Sequence, residues 1–207
     1  MTDARTQTVA RGYDEIADRF AEWAAQIEDD PRRRFREELS ARLRDGARVL
    51  ELGCGAGGSD TAALAQRFRV TGVDISREQV RRARRNVPSA EFIQADMTEL
   101  ELPRESFDSV AAFYSFNHVP RDLLPALFAR IGSWLRPGGL FLAALGAGDT
   151  EAWTGEWLGT TMFFSGHDPE TNRRLLREAG FTSLIDELVE MREPEGSVEF
   201  HWVLAKR

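Results

Sequence analysis

The chain has 207 residues, 42% of them hydrophobic, enough to build one domain around a full core. Its formal net charge of -7 argues against a basic nucleic-acid face or an anionic-membrane surface. Cys54 is the only cysteine, so no internal disulfide can form. No apolar run approaches the roughly 20 residues that span a bilayer, and the first residues lack a signal-peptide hydrophobic region; a cytoplasmic location is expected.

Along the chain, Tyr13, Ile16, Phe20, Trp23 and Ile27 recur every three or four residues and mark one face of a helix. A second helix follows Pro31, with Phe35, Leu39 and Leu43 inward. Residues 48–52 read as a buried strand ended by glycines. Alternation then sets in: helix 61–68, strand 70–74, helix 77–86, strand 91–96, strand 107–113, helix 122–135, a Pro137-Gly138-Gly139 turn and strand 140–145. Strands alternating with helices of this length predict an α/β fold with a mainly parallel sheet and helices on both faces. Residues 148–167 form an aromatic-rich connection. Asp168-Pro169 caps a helix that Gly180 ends. Strands over 184–191 and 199–205, joined by a short loop, must be antiparallel.

Gly53, Gly55, Gly57 and Gly58 stand between the first strand and the next helix, where backbone must turn tightly and can approach a ligand. The spacing satisfies both the dinucleotide pattern G-x-G-x-x-G and the pattern G-x-G-x-G. Asp74, about 20 residues on, suits ribose hydroxyls in either case. Glu51, just before the first glycine, suits a cation better than a pyrophosphate. Asp96 ends the third strand and can accept from an adenine amino group. Asp74 and Asp96 are expected near solvent at their strand ends.

With Glu51-Leu52-Gly53-Cys54-Gly55-Ala56-Gly57, Gly72-Val73-Asp74-Ile75-Ser76, Ala95-Asp96-Met97, Phe107-Asp108-Ser109-Val110 and Leu135-Arg136-Pro137-Gly138-Gly139 in this order, the chain resembles the class I S-adenosylmethionine-dependent methyltransferases over residues 47–145. The resemblance implies a Rossmann-like seven-stranded sheet with an antiparallel last strand. It implies S-adenosylmethionine as cofactor, with Gly53, Cys54 and Gly55 along its methionine part, Asp74 on the ribose and Ile75 on the adenine. Asp96 and the Met97 backbone would meet the adenine amino group, and Phe113 and Tyr114 would flank the reactive end. Residues 1–46 would form a helical lid, 47–147 the cofactor core, 148–167 an aromatic cap, and 168–207 the last helix and strand pair.

Methyl transfer from a sulfonium asks chiefly for alignment in a dry pocket, and an acceptor O–H or N–H also needs its proton taken up. Tyr13 and Phe20 from the first helix, with Trp153, Trp157, Met162, Phe163 and Phe164 from the cap, are the candidate walls for a small hydrophobic or planar acceptor. Core packing is the competing reading of the first helix, and a short helix on the sheet edge that of the cap. His118 and then His167 are the candidate bases, and Tyr13 the third candidate for chemistry; His201, inside the last strand, reads as structural. The expected partner is a small-molecule acceptor, with no metal, nucleic acid or membrane, in a monomer or homodimer. A methyltransferase fold running another reaction, such as a cyclisation, is the alternative. A nicotinamide-dependent oxidoreductase is disfavoured by Glu51, Asp96 and the lack of a Tyr-x-x-x-Lys pair.

Overall fold

A computed structural model describes residues 3–207. Seven strands form one sheet in the order β3-β2-β1-β4-β5-β9-β8. They are β1 (Arg48–Leu52), β2 (Arg69–Asp74), β3 (Glu91–Gln94), β4 (Phe107–Ala112), β5 (Leu135–Gly146), β8 (Thr182–Glu193) and β9 (Gly196–Lys206). The pairs β1–β2, β1–β4, β2–β3 and β4–β5 are parallel, and β9 runs antiparallel between β5 and β8. The central strands β1, β2, β4 and β5 are buried on both faces over most of their length, as parallel strands between helices must be.

The helices are α1 (Ala4–Ala24), α2 (Arg32–Ser40), α3 (Ser59–Ala65), α4 (Arg77–Asn86), α5 (Leu124–Trp134) and α6 (Pro169–Glu178). Their starts are written in the sequence. The Ser76 hydroxyl accepts from the Gln79 amide at the head of α4, with Glu78 in its first turn and Arg84 and Arg85 in its last. Asp168 accepts from the Thr171 amide ahead of Pro169 at the head of α6. One apolar layer packs α5 and α6 on the sheet through Phe128, Ile131, Phe141 and Leu176. The opposite layer holds Phe35 stacked on Trp202, ring centroids 4.3 Å apart.

Residues 148–167 do not form the short helix of the competing reading. They contain an antiparallel hairpin, β6 (Thr150–Trp157) and β7 (Thr160–Gly166). Its two-residue turn is Leu158-Gly159, both with positive φ (49° and 75°), the twist a tight hairpin requires. The hairpin carries α1. Gly12 lies so close to it that a Cβ there would sit 2.7 Å from Met162 Cε. Val9, Ile16, Met162 and Phe163 form the seam. Among the described residues, no helix is long and apolar enough to cross a membrane.

Candidate active site

The carboxyl ends of β1, β2, β3 and β4, roofed by α1 and the two hairpins, enclose a cavity of about 560 Å3. A parallel sheet exposes its ligand crevice at those ends.

One end of the cavity is polar. Gly53 turns with φ +73°, and any side chain there would collide with Ser115, whose Cβ would lie 2.2 Å away. Asp74 is only 9% exposed, not near solvent as expected. It accepts the Gly55 amide at 2.8 Å and the Ser76 amide at 2.9 Å, and so pins both the glycine loop and the start of α4. Burial pushes its pKa up to about 6 against the pull of those amides. A carboxylate retains lone pairs beyond those two bonds.

Glu51 is 4% exposed. Thr61 donates to its Oε1, while Oε2 is buried without a partner, and burial raises its pKa to about 8. Asp96 spends Oδ1 on the amide and hydroxyl of Thr98, and its Oδ2 is likewise buried and unpaired. With Glu51 ionised, both orphaned oxygens can accept from a donor, which fits the ammonium and the adenine amino group of S-adenosylmethionine. Beside them Arg32 pairs with Asp30 at 2.6 Å, and its guanidinium lies 5.2 Å from the centre of the Tyr114 ring. Tyr114 donates to Asp30 and holds a strained φ of 58°.

The other end is aromatic. Tyr13, Phe20, Trp23, Trp157 and Phe164 line it. Trp157 is the hub, with ring centroids 6.2 Å from Tyr13, 6.0 Å from Phe20, 5.3 Å from Trp23 and 5.7 Å from Phe164. Where the two ends meet, the Tyr13 hydroxyl lies 2.8 Å from His118 Nε2, and His118 Nδ1 lies 2.9 Å from the Phe163 carbonyl. A carbonyl can only accept, so Nδ1 carries the proton. Burial lowers the His118 pKa to about 4, so near pH 7 the ring is neutral and Nε2 accepts from Tyr13. Burial raises the Tyr13 phenol, with Asp74 and Glu193 adding to the rise.

The residues named from sequence fall into three groups. Glu51, Gly53, Cys54, Gly55, Asp74, Ile75, Asp96, Met97, Phe113 and Tyr114 line the cavity, as do Tyr13, Phe20, Trp157, Phe164 and His118. Cys54 is packed within it, its thiol pushed up by burial, which fits a filler rather than a nucleophile. Three predicted wall residues are not among those lining the cavity: Met162 and Phe163 are fully buried in the seam with α1, and Trp153 is 44% exposed, its ring 5.5 Å from that of its cross-strand partner Phe164. Alternation along β7 turns Phe163 to the face opposite Met162 and Phe164, while Trp153 shares the face of Phe164 but lies further from the turn than Trp157. His167 also fails to reach the cavity; it lies ahead of α6, where its carbonyl accepts from Asn172. His201 is fully buried beside Asp186 at 3.0 Å, a packing role. Residues not foreseen as lining include Asp60, Thr61, Gln79, Asn117 and Glu193. Gln79 and Asn117 carry buried amide atoms without partners. Asn117, next to His118, had a positional signal; the others come from helices and a loop with no motif.

Residues 49–139 match a family model described as a methyltransferase domain. The chain is 36% identical over 119 residues to a phosphatidylethanolamine N-methyltransferase of Cereibacter sphaeroides, covering 52% of this chain and 57% of that one. It is 34% identical over 161 residues to the 27-O-demethylrifamycin SV methyltransferase of Amycolatopsis mediterranei, covering 67% and 58%. It thus spans less than two thirds of the length of these curated relatives. Among solved structures, it matches a Burkholderia thailandensis 1,6-didemethyltoxoflavin-N1-methyltransferase with bound 1,6-didemethyltoxoflavin and S-adenosylhomocysteine. There the TM-score is 0.72 at 25% identity, over 98% of this chain and 86% of the other. The ordered motifs, the sheet with its inserted antiparallel β9, and these likenesses agree: residues 49–139 form a methyltransferase domain, and the chain has the fold and motif order of the class I S-adenosylmethionine-dependent methyltransferases.

Proposed function

We propose that this protein transfers a methyl group from S-adenosylmethionine to a small hydrophobic or planar acceptor. The observation that carries the reading is one continuous cavity. It joins a polar end with two unpaired buried acceptor oxygens to an aromatic end, with a Tyr–His pair at the junction. A cofactor held at the first end would deliver its methyl towards the second.

Asp74 would hold the ribose, Asp96 the adenine amino group and Glu51 the ammonium; Gly53 and Gly55 let the backbone come close. Bound there, the cofactor supplies an electrophilic methyl on a good leaving group. The aromatic walls orient the acceptor and exclude water. An acceptor proton would pass to the Tyr13 oxygen as the Tyr13 proton passes to His118 Nε2, while Nδ1–H stays on the Phe163 carbonyl. The imidazolium so formed is disfavoured by burial. The charge balance offsets this, since the positive charge lost at the sulfonium stays in the same pocket.

Thermal unfolding tests the reading. S-adenosylmethionine and S-adenosylhomocysteine are expected to raise Tm, with about 2.7 kcal/mol gained at a hundredfold excess over Kd, and NAD is expected to leave it unchanged. A shift with NAD and none with the sulfur nucleosides would overturn it.

A further inference from the structure

The aromatic end of the cavity contains one ionisable group that the methyl-transfer reading does not use. Glu193, the last residue of β8, lines the cavity and is half-buried. Its carboxylate has neither hydrogen bond nor ion pair among the described residues, and it lies close enough to Tyr13 that its charge opposes loss of the phenol proton. Burial, then the neighbouring Glu195, raises its own pKa. The arginines that line the cavity cannot neutralise it. Arg32 is held by Asp30 and Asp60, and Arg82 by Asp18 and Glu78.

The end of β8 that bears Glu193 is tied to the end of α1 and the residues after it. The Trp23 indole N–H donates to Glu195 at 2.9 Å, and Glu28 and Arg192 exchange backbone hydrogen bonds at 2.9 and 3.1 Å. An unpaired carboxylate thus lines the same cavity as the rings of Tyr13, Phe20, Trp23 and Trp157, near enough to Tyr13 to act on its phenol. Aromatic faces attract cations, most strongly where water is excluded. A neutral planar acceptor would leave the carboxylate desolvated and unmatched.

We propose, building on the methyl-transfer reading, that the acceptor is an organic amine, bound as its ammonium between Glu193 and this aromatic box. Before transfer the ammonium gives one proton to the Tyr13 oxygen as the Tyr13 proton passes to His118 Nε2, and Glu193 stays ionised as its counter-charge. The freed nitrogen lone pair then forms the N–CH3 bond, the carbon–sulfur bond breaks with its electron pair going to sulfur, and the product is the N-methylated ammonium.

Calorimetry on the full chain saturated with S-adenosylhomocysteine tests this with two probes of similar size, phenethylamine and uncharged 2-phenylethanol. Phenethylamine is expected to bind at least tenfold more tightly. Glu193→Gln should remove about tenfold or more of its affinity while leaving 2-phenylethanol and S-adenosylhomocysteine unaffected. Equal affinity for the two probes, no binding of phenethylamine at millimolar concentration, or an equal loss for both in Glu193→Gln overturns the amine assignment. Failure of S-adenosylhomocysteine itself to bind instead overturns the methyl-transfer reading on which it rests.

Discussion

Replacing Tyr13 with phenylalanine removes one oxygen and keeps the ring that packs edge-on against Phe20 at 5.1 Å and against Trp157. What is lost is the 2.8 Å bond to His118 Nε2, an acceptor on a ring only 8% exposed. No other described group is positioned on that nitrogen, so the imidazole keeps a desolvated lone pair, at about 1–3 kcal/mol. For a domain of this size that lowers Tm by about 2–4 °C per kcal/mol, readable by calorimetry without any acceptor. With an acceptor in hand, the proton relay predicts a fall of roughly 10²–10⁴-fold in kcat, with cofactor affinity almost unchanged. His118→Gln should produce a similar fall. The double variant should be little worse than either single one, because the two groups act as a unit. Additive losses, or full turnover in Tyr13→Phe, would refute the relay and leave alignment and desolvation to carry the reaction.

Three further outcomes follow from the buried charges. Asp74→Asn should weaken S-adenosylhomocysteine binding roughly 10–100-fold by calorimetry, and Asp74→Ala should also loosen the glycine loop, since Gly55 and Ser76 lose their anchor. Glu51 is mostly protonated near pH 7, with its pKa raised to about 8, and an incoming ammonium favours the carboxylate. Cofactor binding at pH 7 should therefore release most of one proton, measured by titration in buffers of different ionisation enthalpy, and Glu51→Gln should abolish the release. His118 titrates near 4 folded and near 6.5 unfolded, so below pH 6.5 the unfolded state binds the extra proton. Its share of stability, about 3 kcal/mol, is then lost between pH 6.5 and 4, and His118→Gln should flatten that part of the unfolding profile relative to the parent chain.

The sheet was legible because its strands are local apolar runs punctuated by glycine and proline. β1 and α4 fall on the residues their patterns mark, and the sheet topology agrees with the resemblance. The cap was not legible. Its turn places Leu158 at φ 49°, where asparagine or glycine is the usual signal, and β6 mixes Glu, Thr and Trp without a clean apolar face. The polar half of the site could be read because its residues stand next to glycines at strand ends. The acceptor half could be read only as a list of aromatics. Sequence has no means to separate Trp157 and Phe164, which face the cavity, from Met162 and Phe163, which hold down α1. Glu193 ends β8 in an ordinary acidic stretch, and its importance comes from the aromatic cavity that the fold makes it line. The contact of Tyr13 with His118 joins residues 105 positions apart and has no local trace.

The central claim is that one cavity takes the nucleoside at the glycine-loop end and points its sulfur at the aromatic end. A crystal structure with S-adenosylhomocysteine tests it most directly. The account predicts the ribose hydroxyls on Asp74, the adenine amino group on Asp96, the ammonium towards Glu51, and the sulfur facing the Tyr13–His118 pair. A nucleoside bound outside this cavity, or one whose sulfur faces away from that pair, would contradict it.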